Sequence, residues 1–348
     1  MRYRFIVPIV LIVLLTTGCS IRFSNNRVRD GGIFRSTDYA EHWEQKVFVR
    51  QEKKQTITIS DVDVANIFPS PFSPDEFILA TFAHGLYGTT NGGDSWQQTT
   101  INAGNYQAFS FDPANPSILY TASGRNIMKS ADSGGSWDII YTDTRGEGIV
   151  ALVVDPYDSS KLYAGTTGGT ILKSVNYGND WSVKHTINDP VRTIFFRADD
   201  SRIVYVVTTN KGLERSPDGG ETWMSLLKNV ATFPGAGVVY QVAYSKNLPM
   251  AFYAATNYGL IKSPDGGETW QAIKTLLPAN SVPVRTVGVD PANVQILYFT
   301  VNNLLHKSED GGTTWRTIET IPSGRLIVRM LVHPTRPGTV FLGTFKTK

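Results

Sequence analysis

Only one cysteine, Cys19, occurs in the 348 residues. It has no intramolecular partner, so a disulfide scaffold and a cysteine-rich metal cluster are both excluded. The five histidines, His42, His84, His185, His306 and His333, fall at no metal-ligand spacing. The longest apolar run, Phe5 to Leu15, has eleven residues, short of the roughly 18 needed to cross a bilayer as a helix. Charge of one sign is scarce as well. Lys+Arg 33 against Asp+Glu 30 leave a net charge of +3, which does not indicate a nucleic-acid partner. No glycine-rich phosphate loop joins a strand to a helix. No cofactor and no metal are expected.

What is plentiful points to β structure. Trp 7, Tyr 15 and Phe 17 accompany Gly 31 and Pro 18, a mixture of strand formers and turn formers. At the N-terminus, Arg2 and Arg4 precede the apolar run, and Thr16-Thr17-Gly18-Cys19 follow it. This is the layout of a secretory signal. It resembles a bacterial lipoprotein signal, with Thr16 where leucine is usual. That resemblance implies a signal peptide over 1–18, lipidation at Cys19, a tether over 19–30, and an exported protein anchored to the cell envelope on its periplasmic or extracellular face.

SPDGGETW stands at Ser216 to Trp223 and again, unchanged, at Ser263 to Trp270. The same frame recurs as TTNGGDSW from Thr89, SADSGGSW from Ser130, SVNYGNDW from Ser174 and SEDGGTTW from Ser308, with a worn copy, STDYAEHW, from Ser36. These copies hold all seven tryptophans, and their starts are 53, 41, 44, 42, 47 and 45 residues apart. Such a period signals a repeat architecture. Each period carries four short strand-like runs, as in Ile149–Val154, Leu162–Gly165, Thr170–Lys173 and Trp181–Lys184. Four strands per repeat match a propeller blade. With strands lettered A to D from the axis outwards, the octapeptide joins C to D. Before the first copy there is room only for a C strand, and after the last come a D, an A (Leu326–Val332) and a B (Val340–Gly343). The sequence therefore predicts an all-β, seven-bladed propeller of four-stranded antiparallel blades over residues 31–348. N-terminal C and D strands pair with C-terminal A and B strands to close the ring.

The frame resembles the Asp-box, or BNR, repeat found in sialidases, xyloglucan hydrolases, sortilin-type receptors and photosystem II assembly factors. That resemblance fixes a fold more firmly than a function. Physically, the box looks structural. Asp132, Asp218, Asp265, Asp310, Asn91 and Asn176 can accept backbone N–H groups of their own turns. The glycines at 93, 134 or 135, 178, 220, 267 and 312 permit positive φ, and the tryptophan can pack between blades. Ala40 and His42 break the frame in the first copy, so its turn is expected to be the least regular. One carboxylate per box is too few for calcium, which takes six to eight oxygens.

In the enzymes of that family the ligand face lies opposite the boxes, among the B–C and D–A loops. There Arg192 and Arg285 share one register, PVRTIFF and PVRTVGV, and Arg145, Arg325, Arg125, Lys211 and Tyr258 lie in neighbouring loops. These residues are expected to bind a ligand or partner, with arginine forks suited to carboxylates. Glu147 and Asp189 form the one acidic pair to weigh as catalytic. The N-terminal Phe-Arg-Ile-Pro motif of sialidases is absent. Xyloglucan hydrolases set two propellers face to face, whereas this chain has length for one. The resemblance thus implies a monomeric, membrane-tethered, non-catalytic propeller, scaffold-like or assembly-factor-like, that binds a protein partner such as a membrane protein. The alternative is a BNR-repeat glycoside hydrolase or a carbohydrate-binding protein. The charged stretch from Gln51 is expected either to serve as an arm over the channel or, more simply, to be a solvated excursion.

Overall fold

In the computed structural model, residues 30–319 and 321–347 are described; the signal, Cys19 and most of the tether lie outside them. Seven four-stranded antiparallel sheets form the ring. Blades 1 to 6 each use consecutive strands, starting at Val64, Ala108, Ile149, Val191, Val239 and Thr286. Blade 7 is composite: Leu326–Val332 and Val340–Phe345 supply A and B, and Ile33–Ser36 and Glu44–Gln45 supply C and D. Pairing of Ile33 with Gly343 and of Ser36 with Val340 closes the ring as the sequence predicted. Among the described residues, helix is confined to one 3-10 turn, Leu227–Val230.

The core lies between blades rather than within them. Ala151, Tyr163 and Ile171 of blade 3 pack with Val191, Ile194 and Val204 of blade 4, and similar clusters fill the other gaps. The boxes serve this arrangement. In each copy the opening Ser or Thr hydroxyl donates to the Asp or Asn two residues on, and accepts the N–H of the residue four on. In copy three it is Gly134, at φ +90°, and not Gly135 that takes the left-handed position.

The first copy departs from expectation. Ala40 accepts φ +70° in place of glycine, and its N–H still bonds Ser36 Oγ at 3.0 Å. His42 Nδ1 contacts Asp38 Oδ2 at 2.6 Å, where copy four uses the Asp180 carboxylate and the remaining copies a hydroxyl. The worn box therefore keeps the full bonding pattern, because its acceptors serve backbone groups that survive substitution.

Of the two expectations for the stretch from Gln51, the structure favours the solvated excursion: residues 51–56 are exposed. The stretch belongs to a hairpin, Phe48–Glu52 with Gln55–Thr58. The Trp96 N–H donates to Phe48 O at 2.8 Å, and Val47 and Val49 pack with Trp96, Ile59 and Val62. Trp96 opens the outermost strand of blade 1, so the hairpin runs along the outer rim. Its valines bury more apolar surface there than an arm over the channel would bury.

Candidate functional site

Strand A lines the axis, and a recurring irregularity re-aims its second residue. The A–B register slips at Ile149/Ala151, Val191/Thr193, Val239/Gln241 and Ile327/Arg329. Each slip is a β-bulge, which bends the strand and redirects the extra side chain. In blades 4 and 5 the extra residues are Arg192 and Tyr240. Arg285 holds the same place just before strand A of blade 6, where its N–H bonds Thr300 O. Three successive blades thus present arginine, tyrosine and arginine at one height.

The three side chains meet. The guanidinium carbons of Arg192 and Arg285 lie 5.2 and 5.0 Å from the centre of the Tyr240 ring, within cation–π range. The Tyr240 hydroxyl donates to Asn257 Oδ1 at 2.8 Å, which fixes the ring between them. Arg329 lies behind, on strand A of blade 7, and its Nη1 donates to Val328 O at 2.8 Å. Enclosure and the nearby Arg192 charge lower the Arg329 pKa to about 10. Arg192 is lowered too, by loss of hydration first and by Arg285 as well, although Tyr240 and Asp189 oppose this. No carboxylate forms an ion pair with Arg192, Arg285 or Arg329 among the described residues. Gln241 donates its Nε2 to Met330 O, and its buried Oε1 has no partner. Asn66, Gln107, Ser110 and Val150 continue the channel wall beyond Arg192. Chemically, this is a place where positive charge is concentrated without its own counterion.

The other expected residues lie elsewhere. Arg145 is held by the buried Asp143 through Nε at 3.0 Å and through Nη2. Arg325 reaches Asp30, Asp61 and Asp63 at 3.1, 3.3 and 3.6 Å. Arg145 is occupied by its own loop, and Arg325 by aspartates near the start of the described chain. Arg125 is exposed at the B–C turn of blade 2, and Lys211 donates its Nζ to Ile187 O. Tyr258 packs its ring edge-on against Phe233. Glu147 accepts the Thr166 hydroxyl. Asp189 accepts Asn210 N, Asn210 Nδ2 and Lys211 N, bonds that outweigh its burial and lower its pKa. Each acidic side chain therefore organises a turn. Asp132, Asp218 and Asp310 accept bonds within their boxes, and among the described residues no three metal-ligating side chains cluster. Sequence reading missed Tyr240. Aligning strands A on their bulges would have put it in register with the two arginines.

Comparisons with known proteins agree on the fold. The family model Sortilin-Vps10 (sortilin, neurotensin receptor 3) matches residues 125–257. The xyloglucanase Xgh74A of Acetivibrio thermocellus is 24% identical over 38% of this chain and 21% of its own length; the chain thus spans about a fifth of that relative. Among solved structures, YCF48 bound to a D1 peptide superposes with TM-score 0.64 at 15% identity, covering 86% of this chain and 98% of that one. YCF48 from Cyanidioschyzon merolae gives 0.63 at 12%, covering 81% and 96%. The GH74 xyloglucanase of Xanthomonas campestris gives 0.64 at 17%, covering 82% of this chain and 51% of that enzyme.

Proposed function

We propose that this propeller is a non-catalytic binding protein that holds an anionic segment of a protein partner over its channel, gripped by Arg192 and Arg285 across Tyr240. One observation carries the reading: two guanidinium groups lie over a single tyrosine that is itself hydrogen-bonded in place, and neither forms an ion pair with a carboxylate among the described residues. Folding brings these cations together at an electrostatic cost, and a ligand carboxylate would relieve it. Similarity to a propeller solved with a bound peptide is consistent with this. Lipidation at Cys19, export and a membrane-protein partner belong to the same proposal. The test is fluorescence anisotropy with a panel of labelled acidic peptides. Arg192→Ala combined with Arg285→Ala is expected to weaken binding by about tenfold or more, equivalent to ~1.4 kcal/mol. Equal affinity for wild type and variant would overturn the reading.

A carbohydrate reading has a narrower base. Tyr258 borders an open groove with Leu276, Pro278 and Val282, and the fold is shared with xyloglucanases. Retention of a glycan from a panel, lost on Tyr258→Ala, would favour it. Hydrolysis abolished by Glu147→Gln would make it enzymatic.

A further inference from the structure

Away from the channel, the loop face carries a second feature. Leu227, in the D–A loop of blade 4, is 36% exposed, and Leu276, in the D–A loop of blade 5, is 55% exposed. Leu304 follows the B–C turn of blade 6 and is 44% exposed. A single exposed leucine is ordinary; here three mark the sector of blades 4 to 6 on one face. Lysines accompany them. Lys228 follows Leu227, Lys274 lies two residues before Leu276, and both are exposed without an ion-pair partner among the described residues.

Charge is divided between the two ends of the ring. The box end displays Asp132, Asp218 and Asp310 towards solvent, together with Glu309, which is paired with Lys307 at 2.6 Å. On the loop face most carboxylates are occupied: Asp30, Asp61 and Asp63 gather on Arg325, Asp143 holds Arg145, and Asp189 sits inside its turn. Glu319 is the exposed acid that remains near the sector, against Lys228, Lys274 and, farther round, Arg125 and Lys346. The chain also enters the fold on this face. Asp30 accepts Gly324 N at 3.0 Å and Arg325 Nε at 3.1 Å. Asp30, the first described residue, thus lies on the loop face.

From these three observations we infer that the loop face over blades 4 to 6 docks on the surface of an anionic bilayer. Leu227 and Leu276 enter the headgroup layer while Lys228 and Lys274 meet lipid phosphates, the combination by which peripheral surfaces hold to membranes. The inference goes beyond the partner reading and uses neither Arg192 nor Arg285.

The test uses the full chain carrying Cys19→Ser, with an environment-sensitive fluorophore on Leu276→Cys or, as a control on the box face, on Ala131→Cys, an exposed position whose side chain makes no hydrogen bond. Each is mixed with vesicles of phosphatidylcholine alone or with about one third phosphatidylglycerol. The apolar run is common to every arm, so differences between labels and lipids report the face. The position-276 label is expected to brighten several-fold and shift to the blue on anionic vesicles only. Raising salt should diminish the response as charges are screened, and Lys228→Glu with Lys274→Glu should abolish it. The control label should stay unchanged. A silent label at 276, an equal response on neutral vesicles, an equal response at 131, or indifference to the lysine reversals would each overturn the inference. Those substitutions are at exposed positions, and an unchanged thermal melt verifies the fold.

Discussion

Arg329 is the residue the fold treats least favourably. Its pKa of about 10 lies below the ordinary arginine value, so its charged form is less stable in the fold than in the unfolded chain. The charge therefore opposes folding at pH values below about 10, and the opposition fades as pH rises through that value. Arg329→Met removes the unpaired charge and keeps an apolar stem. Calorimetry is expected to find a higher melting temperature for this variant at pH 7. A lower one would mean that the bond to Val328 O outweighs the charge. Tyr240 separates two contributions in the same way. Tyr240→Phe keeps the stacking surface and loses the bond to Asn257, whereas Tyr240→Leu loses both. Acidic-peptide affinity is expected to fall modestly in the first and about tenfold in the second, read by anisotropy.

Among the elements, the box is a hydrogen-bonded staple whose acid sensitivity can be worked out. Side-chain and backbone bonds from Thr222 hold Asp218 at about 2, those from Thr314 hold Asp310 at about 2, and those from Ser136 do the same for Asp132. Carboxylates whose folded pKa is depressed contribute stability that is complete above the unfolded value of 3.8 and disappears as pH falls through about 2. Thermal melts are thus expected to drop steadily between about pH 4 and pH 2, and Asp218→Asn with Asp310→Asn should flatten that fall. Ser216→Ala removes the acceptor for the buried Gly220 N–H as well as the donor to Asp218. It should cost about 1–3 kcal/mol by denaturant titration. At the other end of each blade stands a second set of residues that went unread in the sequence. Thr81, Thr121, Thr166, Thr208, Thr256, Thr300 and Thr344 are all buried at strand B, and Thr208 and Thr256 bond the carbonyls of Gly212 and Gly259 across their turns. Their spacing was available, but a threonine in a strand is too ordinary to announce itself.

At the scale of the whole molecule, stability depends on closing the ring. Arg325 ties the start of the described chain to its end. It is 9% exposed in its side chain, meets Asp30, Asp61 and Asp63, and lies so near Gly31 that a Cβ there would stand 2.3 Å from the guanidinium. Arg325→Gln leaves Asp30 and Asp63 without their cation, and unfolding by guanidinium chloride should show a loss of about 3 kcal/mol. Blades are also stitched to their neighbours. Tyr163 OH donates to Gly219 O, Tyr205 OH donates to Gly266 O, and Lys173 and Arg215 meet Glu221 and Glu268 of the next box.

The sequence alone determined the blade count, the strand order and the closure, because a repeat writes each blade's tryptophan, glycine and turn acid into the chain at a fixed period. It also put Arg192 and Arg285 at one register. Which arginines are free was decided only by the tertiary structure. Asp143 takes Arg145 from two residues away in its own loop, whereas the trio around Arg325 reach it only through the fold, Asp30 across a separation of 295 residues. Tyr240 acquires its role for the same reason: a bulge turns it inwards, and ring closure sets three successive blades edge to edge around one axis. Local periodicity specifies a blade, but the convergence of side chains on a channel exists only once the blades have closed around it.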